Sequence, residues 1–156
     1  MTSPSPNRRA LLVGAAGLGG WLVTAYPGAA ANLPDDLVAA ITTFTKGAPL
    51  REGKVMLEVA ELVDNGNAVP VTVSVASPMT AADHVTAISI FNQRNPQRDV
   101  INMLLGPRSG RARLSTRMRL ATSQKIVAVA RLNDGSCWSR TVDVVVTLAA
   151  CIEGET

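Results

Sequence analysis

The feature that most constrains the fold of this chain is a strict alternation of apolar and polar residues in several short segments. In "VPVTVSV", from Val69 to Val75, every second residue is valine. A period of two places successive side chains on opposite faces of a β-strand, whereas an amphipathic helix needs a period near 3.6. Similar segments recur along the chain, separated by turn sequences such as "DNGN" and "NDGS". The pattern predicts an all-β protein, an immunoglobulin-like antiparallel β-sandwich of about seven strands.

One short N-terminal helix is predicted ahead of the strands. Between Asn32 and Lys46, apolar residues such as Leu37, Ile41 and Phe44 recur at helical spacing. A proline near the start of this segment suits the first turn of a helix, and the glycine and proline that follow Lys46 end it.

The first 31 residues have the order of features found in an export signal. Arg8 and Arg9 precede a weakly hydrophobic, glycine-rich run from Ala10 to Ala25, and small residues follow up to Ala31. Paired arginines in this position are typical of the twin-arginine route, so we expect cleavage next to Ala31 and a periplasmic mature protein. The alternative is an uncleaved anchor, although the run is short for a membrane span of about 20 residues.

The chain therefore divides into a signal peptide (1–31), a β-sandwich domain (32–148) and a C-terminal arm (149–156). Removal of the signal peptide leaves 13 of the 15 basic residues and all 12 acidic ones. This near-balance argues against nucleic acid as a partner, because phosphate binding needs a clear basic excess. After cleavage we also expect no contact with the membrane.

Four arginines share one face of the segment "RARLSTRMRL". They are Arg111, Arg113, Arg117 and Arg119, and apolar residues occupy the other face. One interpretation is a strip that attracts sulfate-like anions or acidic partners. The other is an ordinary solvated sheet face, or arginines that pair with carboxylates on neighbouring strands.

The sequence offers no catalytic or metal-binding constellation. His84 is the only histidine, and a zinc site needs several such ligands at short spacing. No nucleophile motif surrounds any serine, and neither a glycine-rich phosphate loop nor a CxxCH haem motif is present in a suitable place. We therefore expect a protein that is not an enzyme and that holds no cofactor or metal.

Two cysteines, Cys137 and Cys151, remain to be explained. Exported proteins usually pair their cysteines, but here the predicted last strand lies between them. An extended strand rises about 3.3 Å per residue, so 14 steps span roughly 46 Å, whereas a disulfide joins Cα atoms within about 7 Å. An intramolecular bridge is disfavoured unless "SCWSRTVDVVVTL" forms two strands with a tight turn. We interpret Cys137 as a small, partly buried apolar residue.

Cys151 lies in the arm, within "LAACIEGET". An accessible thiol with a pKa of about 8.5 is a competent nucleophile through its thiolate fraction. A free thiol is a liability in an oxidising compartment, so it requires a use there. Two uses are open, an intermolecular disulfide or the covalent carriage of a substrate.

Several motifs occur in an order that resembles one family. They are "VDNGNAVPVTVSVASPMTAADHV", "STRMRLATSQKIVAVARLNDGS" and the cysteine that follows "VDVVVTL". From Asp35 to Cys151 the chain resembles SoxY, the sulfur-carrier subunit of the thiosulfate-oxidising Sox system. The resemblance implies an immunoglobulin-like sandwich that forms a heterodimer with a SoxZ-like subunit, and export in the folded state with that partner.

The same resemblance implies a role for Cys151. In the family, a cysteine near the C-terminus is conjugated to thiosulfate through sulfur, with oxidation by a c-type cytochrome, and other Sox enzymes then process the carried sulfur. Cys151 matches this covalent attachment position. The carrier presents intermediates to separate active sites and does not itself catalyse.

The arm departs from the family pattern. The family's arm typically ends in "GGCGG", whereas this chain has "AACIEGET". Alanines reduce the backbone freedom around the thiol, and Glu153 and Glu155 place negative charge beside a group that should accept an anionic sulfur species. One hypothesis is therefore a carrier of thiosulfate or a related sulfur compound. The other is a non-carrier module that binds a SoxZ-like partner or forms an intermolecular disulfide through Cys151.

Overall fold

A computed structural model describes residues 33–149, and within them the predicted helix is present as α1 (Asp35–Thr45). Asp35 and Asp36 lie in its first turn, where negative charge is favoured by the helix dipole. Lys46 adopts a left-handed conformation with a φ of 57° and ends the helix. Within these residues, no helix is long and apolar enough to cross a membrane. The predicted signal peptide (1–31) and the arm residue Cys151 lie outside the described residues.

Nine strands follow the helix within residues 33–149. In chain order they are β1 (Leu50–Arg51), β2 (Val55–Val59), β3 (Leu62–Val63), β4 (Val69–Val75), β5 (Val85–Asn92), β6 (Asp99–Leu104), β7 (Arg113–Met118), β8 (Gln124–Leu132) and β9 (Cys137–Val146). Seven of these strands have five residues or more, which agrees with the prediction of about seven strands. The sequence does not predict β1 and β3, because two residues are too few to show a period.

The strands form two sheets, and the predicted all-β sandwich with one helix is confirmed. The larger sheet has the order β1-β9-β8-β5-β6, with β3 also paired to β9, and the smaller sheet has the order β2-β4-β7. All pairs between the seven longer strands are antiparallel. The two short strands β1 and β3 both pair with β9 in parallel, so they cover the edge of β9 that β8 does not use.

The main core lies between the two sheets, and the alternating residues of β4 show how it forms. Its four valines, Val69, Val71, Val73 and Val75, are all buried, at 8% exposure or less. They pack in one cluster with apolar residues from β5 and β8, such as Ile88, Ile90 and Ile126. The period of two therefore predicts the buried face of this strand correctly.

A second cluster lies on the outer face of the larger sheet, where α1 packs. Leu37 and Ile41 of the helix contact Phe91, Val127 and Val129 of β5 and β8. Since α1 covers this face, β5 and β8 are buried on both sides along most of their length. This is why "AISIF" and "IVAVA" contain little polar sequence although they belong to an antiparallel sheet.

Replacing Leu120 with alanine should destabilise the sandwich strongly. Leu120 is fully buried in the main core, and truncation of a buried leucine costs about 2–5 kcal/mol through lost burial and the cavity that remains. Its matched control is Leu104→Ala on β6, where the leucine is 76% exposed and the change should stay within about 0.5 kcal/mol. Urea denaturation measures the free energy of unfolding of both variants, and equal losses would contradict this core.

Candidate functional site

The last strand is continuous, which decides the question of an intramolecular disulfide. β9 runs without interruption from Cys137 to Val146 and pairs with β8 from Arg131↔Cys137 to Gln124↔Val144. From Cys137 to Val146 the strand spans about 30 Å, and the five further residues to Cys151 return at most about 18 Å, which leaves more than the roughly 7 Å that a disulfide allows. The two thiols therefore cannot meet, and Cys137 is a free cysteine.

Cys137 is an interior residue with no access to solvent. Its side chain is fully buried, and its sulfur lies 4.0 Å from the carbonyl oxygen of Thr45 and 3.9 Å from that of Gly135. Burial raises the pKa of this thiol; the nearby Arg131 guanidinium opposes the rise and the Asp134 carboxylate adds to it. Cys137 is more buried than the sequence analysis expects, and a neutral, inaccessible thiol is unreactive.

The end of β9 is held firmly where the chain leaves the sandwich. β3 pairs with it in parallel, so that Val63 lies opposite Val146. The Thr147 backbone N–H donates to the Val63 carbonyl at 3.0 Å, and its hydroxyl donates to the Asp64 carbonyl at 3.1 Å. From the other side, the Val146 N–H donates to the Ser123 hydroxyl at 2.9 Å. The strand is therefore anchored on both sides as far as Thr147.

A single glycine joins this strand end to the smaller sheet. The Gly66 N–H donates to the Leu148 carbonyl at 2.8 Å, and the Gly66 carbonyl accepts from the Leu120 N–H at 2.8 Å. Gly66, a turn residue, thus links Leu148 to Leu120 through its own backbone groups. We refer to Leu148 and Ala149, the last described residues, as the arm exit. The sequence marks "DNGN" as a turn but gives no sign of this link, because both bonds are made by backbone atoms.

The four arginines share one face of their segment, as predicted, and the structure shows that this is the outer face of the smaller sheet. Arg111, Arg113, Arg117 and Arg119 are exposed, whereas the apolar residues that alternate with them are buried. On β4, the residues opposite Arg113 and Arg117 are Ser74 and Pro70, so the neighbouring strand supplies no carboxylate.

Two ion pairs are found within residues 33–149, Arg98–Asp36 at 2.7 Å and Lys125–Asp143 at 2.7 Å, and neither involves an arginine of this row. In this part of the chain the row is thus a solvated strip of positive charge on an edge strand.

The four arginines form two pairs that differ in their distance from the arm exit. Arg119 precedes Leu120, which is linked to Leu148 through Gly66. The opposite end of β7 pairs with the end of β4, since Arg113 lies opposite Ser74. Six residues of strand, about 20 Å, separate Arg113 from Arg119. We therefore name Arg117 and Arg119 the near arginines, and Arg111 and Arg113 the far arginines.

His84 lies in the loop that precedes β5. Its backbone N–H donates to the Asn133 side-chain oxygen at 3.0 Å, and its Nδ1 lies 3.0 Å from the Thr80 carbonyl oxygen. In the part of the chain that the structure describes, no group of three or more histidine, cysteine, aspartate or glutamate residues is placed to hold a metal ion.

A cationic cluster lies around Trp138. The Arg51 guanidinium carbon lies 5.9 Å from the centre of the Trp138 ring, and the Lys54 ammonium lies 5.4 Å from it. Both distances are within the range of a cation–π interaction. The cluster stands at the start of β9, at the end of the strand opposite the arm exit. No local motif predicts it, because Arg51 meets Trp138 through the short parallel pairing of β1 with β9.

Solved structures support the class of protein, an all-β sandwich. The chain is similar to a superoxide reductase (neelaredoxin) from Ignicoccus hospitalis, with 19% identity over 60% of this chain and 80% of that one and a TM-score of 0.54. A putative superoxide reductase from Thermotoga maritima gives 20% identity, 62% and 93% coverage and a TM-score of 0.54. The neelaredoxin from Archaeoglobus fulgidus gives 17%, 62% and 98%, and 0.51. At these identities the likeness shows the fold alone.

The family follows from the sequence match. The model of the family described as sulfur oxidation protein SoxY matches residues 41–151, which cover all the strands and end on Cys151. The chain therefore belongs to the SoxY family, as the motifs predict, and this membership supports a role in sulfur oxidation alongside other proteins of a Sox system. A comparison with curated proteins gives no match.

Because Cys137 is buried, its contribution to the free energy of unfolding should depend on pH. Because the folded pKa lies above the unfolded value of about 8.5, the unfolded chain releases its thiol proton first as pH rises. The stabilising contribution of the Cys137 thiol is therefore fully present below the unfolded pKa. It falls as pH rises above that value and levels off above the folded pKa. Urea denaturation of wild type and Cys137→Ala from about pH 7 to about pH 10 should show the stability difference between them shrinking. A difference that stays constant would contradict the assignment.

Proposed function

We propose that this protein is a covalent carrier of sulfur intermediates and that the Cys151 thiol is the attachment site. The observation that carries the proposal is the anchored end of β9: the sandwich holds the chain as far as Leu148, and the thiol follows three residues later. The match to the SoxY family model extends to Cys151. Since Cys137 is buried at the other end of β9, it is not suited to be the attachment site, and Cys151 is the cysteine that remains.

The attachment step is an oxidation with a defined balance. The Cys151 thiol and one thiosulfate give Cys–S–S–SO₃⁻, one proton and two electrons. A c-type cytochrome accepts the electrons one at a time. Hydrolysis of the terminal group then adds one water, releases sulfate and leaves a persulfide on the cysteine. The carrier supplies a nucleophilic sulfur and a position in space, and the catalytic groups belong to partner enzymes.

The proposed partner and cellular location are those expected for a member of the SoxY family. A SoxZ-like subunit forms a heterodimer with the sandwich, and the assembly acts in the periplasm after export by the twin-arginine signal at 1–31. Arg8 and Arg9 in that segment are the residues that support export. The near-balanced charge of the remaining chain fits a protein that binds other proteins and small anions rather than nucleic acid.

A second candidate function is supported by the arm itself. "AACIEGET" has alanines where glycines would give freedom, and Glu153 and Glu155 add negative charge close to the thiol. A protein of this family that no longer carries sulfur would still bind a SoxZ-like partner through its sandwich, with Cys151 at most in an intermolecular disulfide. Partner binding and sulfur oxidation that both survive Cys151→Ser would favour this function.

Incubation with thiosulfate, an oxidising c-type cytochrome and the SoxZ-like partner should add the mass of a thiosulfate-derived group to the Cys151 peptide. A reductant should remove the adduct. Mass spectrometry of the digested protein locates the added mass. Cys151→Ser should abolish it, and Cys137→Ala, which changes the buried thiol, should retain it. An unmodified wild-type peptide, or the same adduct on Cys151→Ser, would refute carriage through this residue.

A further inference from the structure

The near arginines form a positively charged site beside the arm exit. Arg117 and Arg119 are exposed on the outer face of β7 and its extension, and neither forms an ion pair with any residue between 33 and 149. They are separated by one residue, so both side chains project from the same face about 7 Å apart. Guanidinium groups at this spacing suit two carboxylates, because each can bind one through paired hydrogen bonds.

The arm that follows the sandwich carries charges of opposite sign at the same spacing. Glu153 and Glu155 are also separated by one residue, so in an extended chain their carboxylates lie on one face about 7 Å apart. Charge and spacing therefore match between the two pairs of residues.

The arm is also long enough to bring these carboxylates to the near arginines. Leu120 and Leu148 both hydrogen-bond to Gly66, so two backbone hydrogen bonds through one residue keep their backbones within roughly 10 Å of each other. Glu153 follows Leu148 by five residues, which reach about 17 Å when extended. Arg119, next to Leu120, is within that distance, whereas the far arginines lie about 20 Å further along the strand.

We propose that Arg117 and Arg119 form a docking site for the acidic segment of this chain's own arm, Glu153 to Glu155. Since the segment is tethered, pairing closes a short loop and requires no second molecule, so the effective concentration of the carboxylates at the site is high. Docking holds Cys151 close to the sandwich and neutralises the two carboxylates nearest to it. The negative charge beside the thiol is then cancelled, so it no longer disfavours the thiolate or an anionic sulfur species.

A simpler role for the arginines is to block unwanted pairing at the edge of the smaller sheet, because charged side chains protect edge strands. That role belongs to all four arginines alike. Docking instead distinguishes the near arginines from the far ones, and it depends on the charges of the arm. These two differences allow a direct test.

The test measures the mobility of a nitroxide label attached to Cys151 by electron paramagnetic resonance. Cys137 is buried, so the native protein is labelled on the arm, and peptide mass confirms the site. Wild type should show an immobilised component that disappears at high salt, because exposed charges are screened. Arg117→Gln with Arg119→Gln should lower the ratio of immobile to mobile label roughly threefold or more, as expected for the loss of two exposed ion pairs.

Three comparisons decide the outcome. Glu153→Gln with Glu155→Gln should mobilise the label as much as the loss of the near arginines, and the two changes combined should add nothing further. The matched control, Arg111→Gln with Arg113→Gln, should leave the label unchanged. Exchange of charges between the near arginines and the two glutamates should restore immobilisation. Equal effects of near and far arginines, or an arm insensitive to its own glutamates, would overturn the proposal. The assay uses no thiosulfate, so its result is independent of whether Cys151 carries sulfur.

Discussion

The continuous strand β9 is the element on which the rest of this structure depends. It pairs with β8 along its length and with β1 and β3 on its other edge, so it stands inside the larger sheet rather than at its border. Since an extended strand of ten residues is about 33 Å long, it separates Cys137 from the arm exit by the length of the sandwich. One thiol is fixed in the interior, and the other follows an anchored exit. The separation between the buried thiol and the arm exit is therefore a consequence of strand length.

Local alternation predicts the sandwich well because each sheet here has one face toward a common core. The valines of β4 identify its buried face correctly. On β7, Leu114 and Met118 do the same, because they are four positions apart and therefore lie on one face of the strand. The alternation is not visible in β5 and β8, because both faces of these strands are buried and carry apolar residues. Their second face is buried because α1 packs on it. Sequence patterns report the environment of one strand; they do not report which helix lies over it.

The candidate site is less predictable than the fold for a related reason. The distance argument that separates Cys137 from Cys151 needs only the continuity of one strand, which the residue pattern supplies. The arm exit is fixed instead by hydrogen bonds from Gly66 to Leu148 and Leu120, contacts between backbone atoms that are distant in sequence. Any residue other than proline can make such bonds, so no residue type at these positions reveals them. The position of the arm relative to the arginine row thus becomes visible only in three dimensions.

The acidic arm and the arginine row acquire a different meaning when they are considered together. Alone, Glu153 and Glu155 oppose an anion at Cys151, and alone, the near arginines are one part of a solvated edge. Because β7 and β9 come together at Gly66, these opposite charges are tethered within reach of each other. A carrier with a glycine-rich arm keeps its thiol available through backbone freedom. An arm with alanines and glutamates has less of that freedom, and electrostatic positioning by the sandwich offers another way to present the thiol. In that arrangement the composition of the arm is matched to the surface beside it, and departure from the family's glycine-rich pattern is compatible with retained carriage.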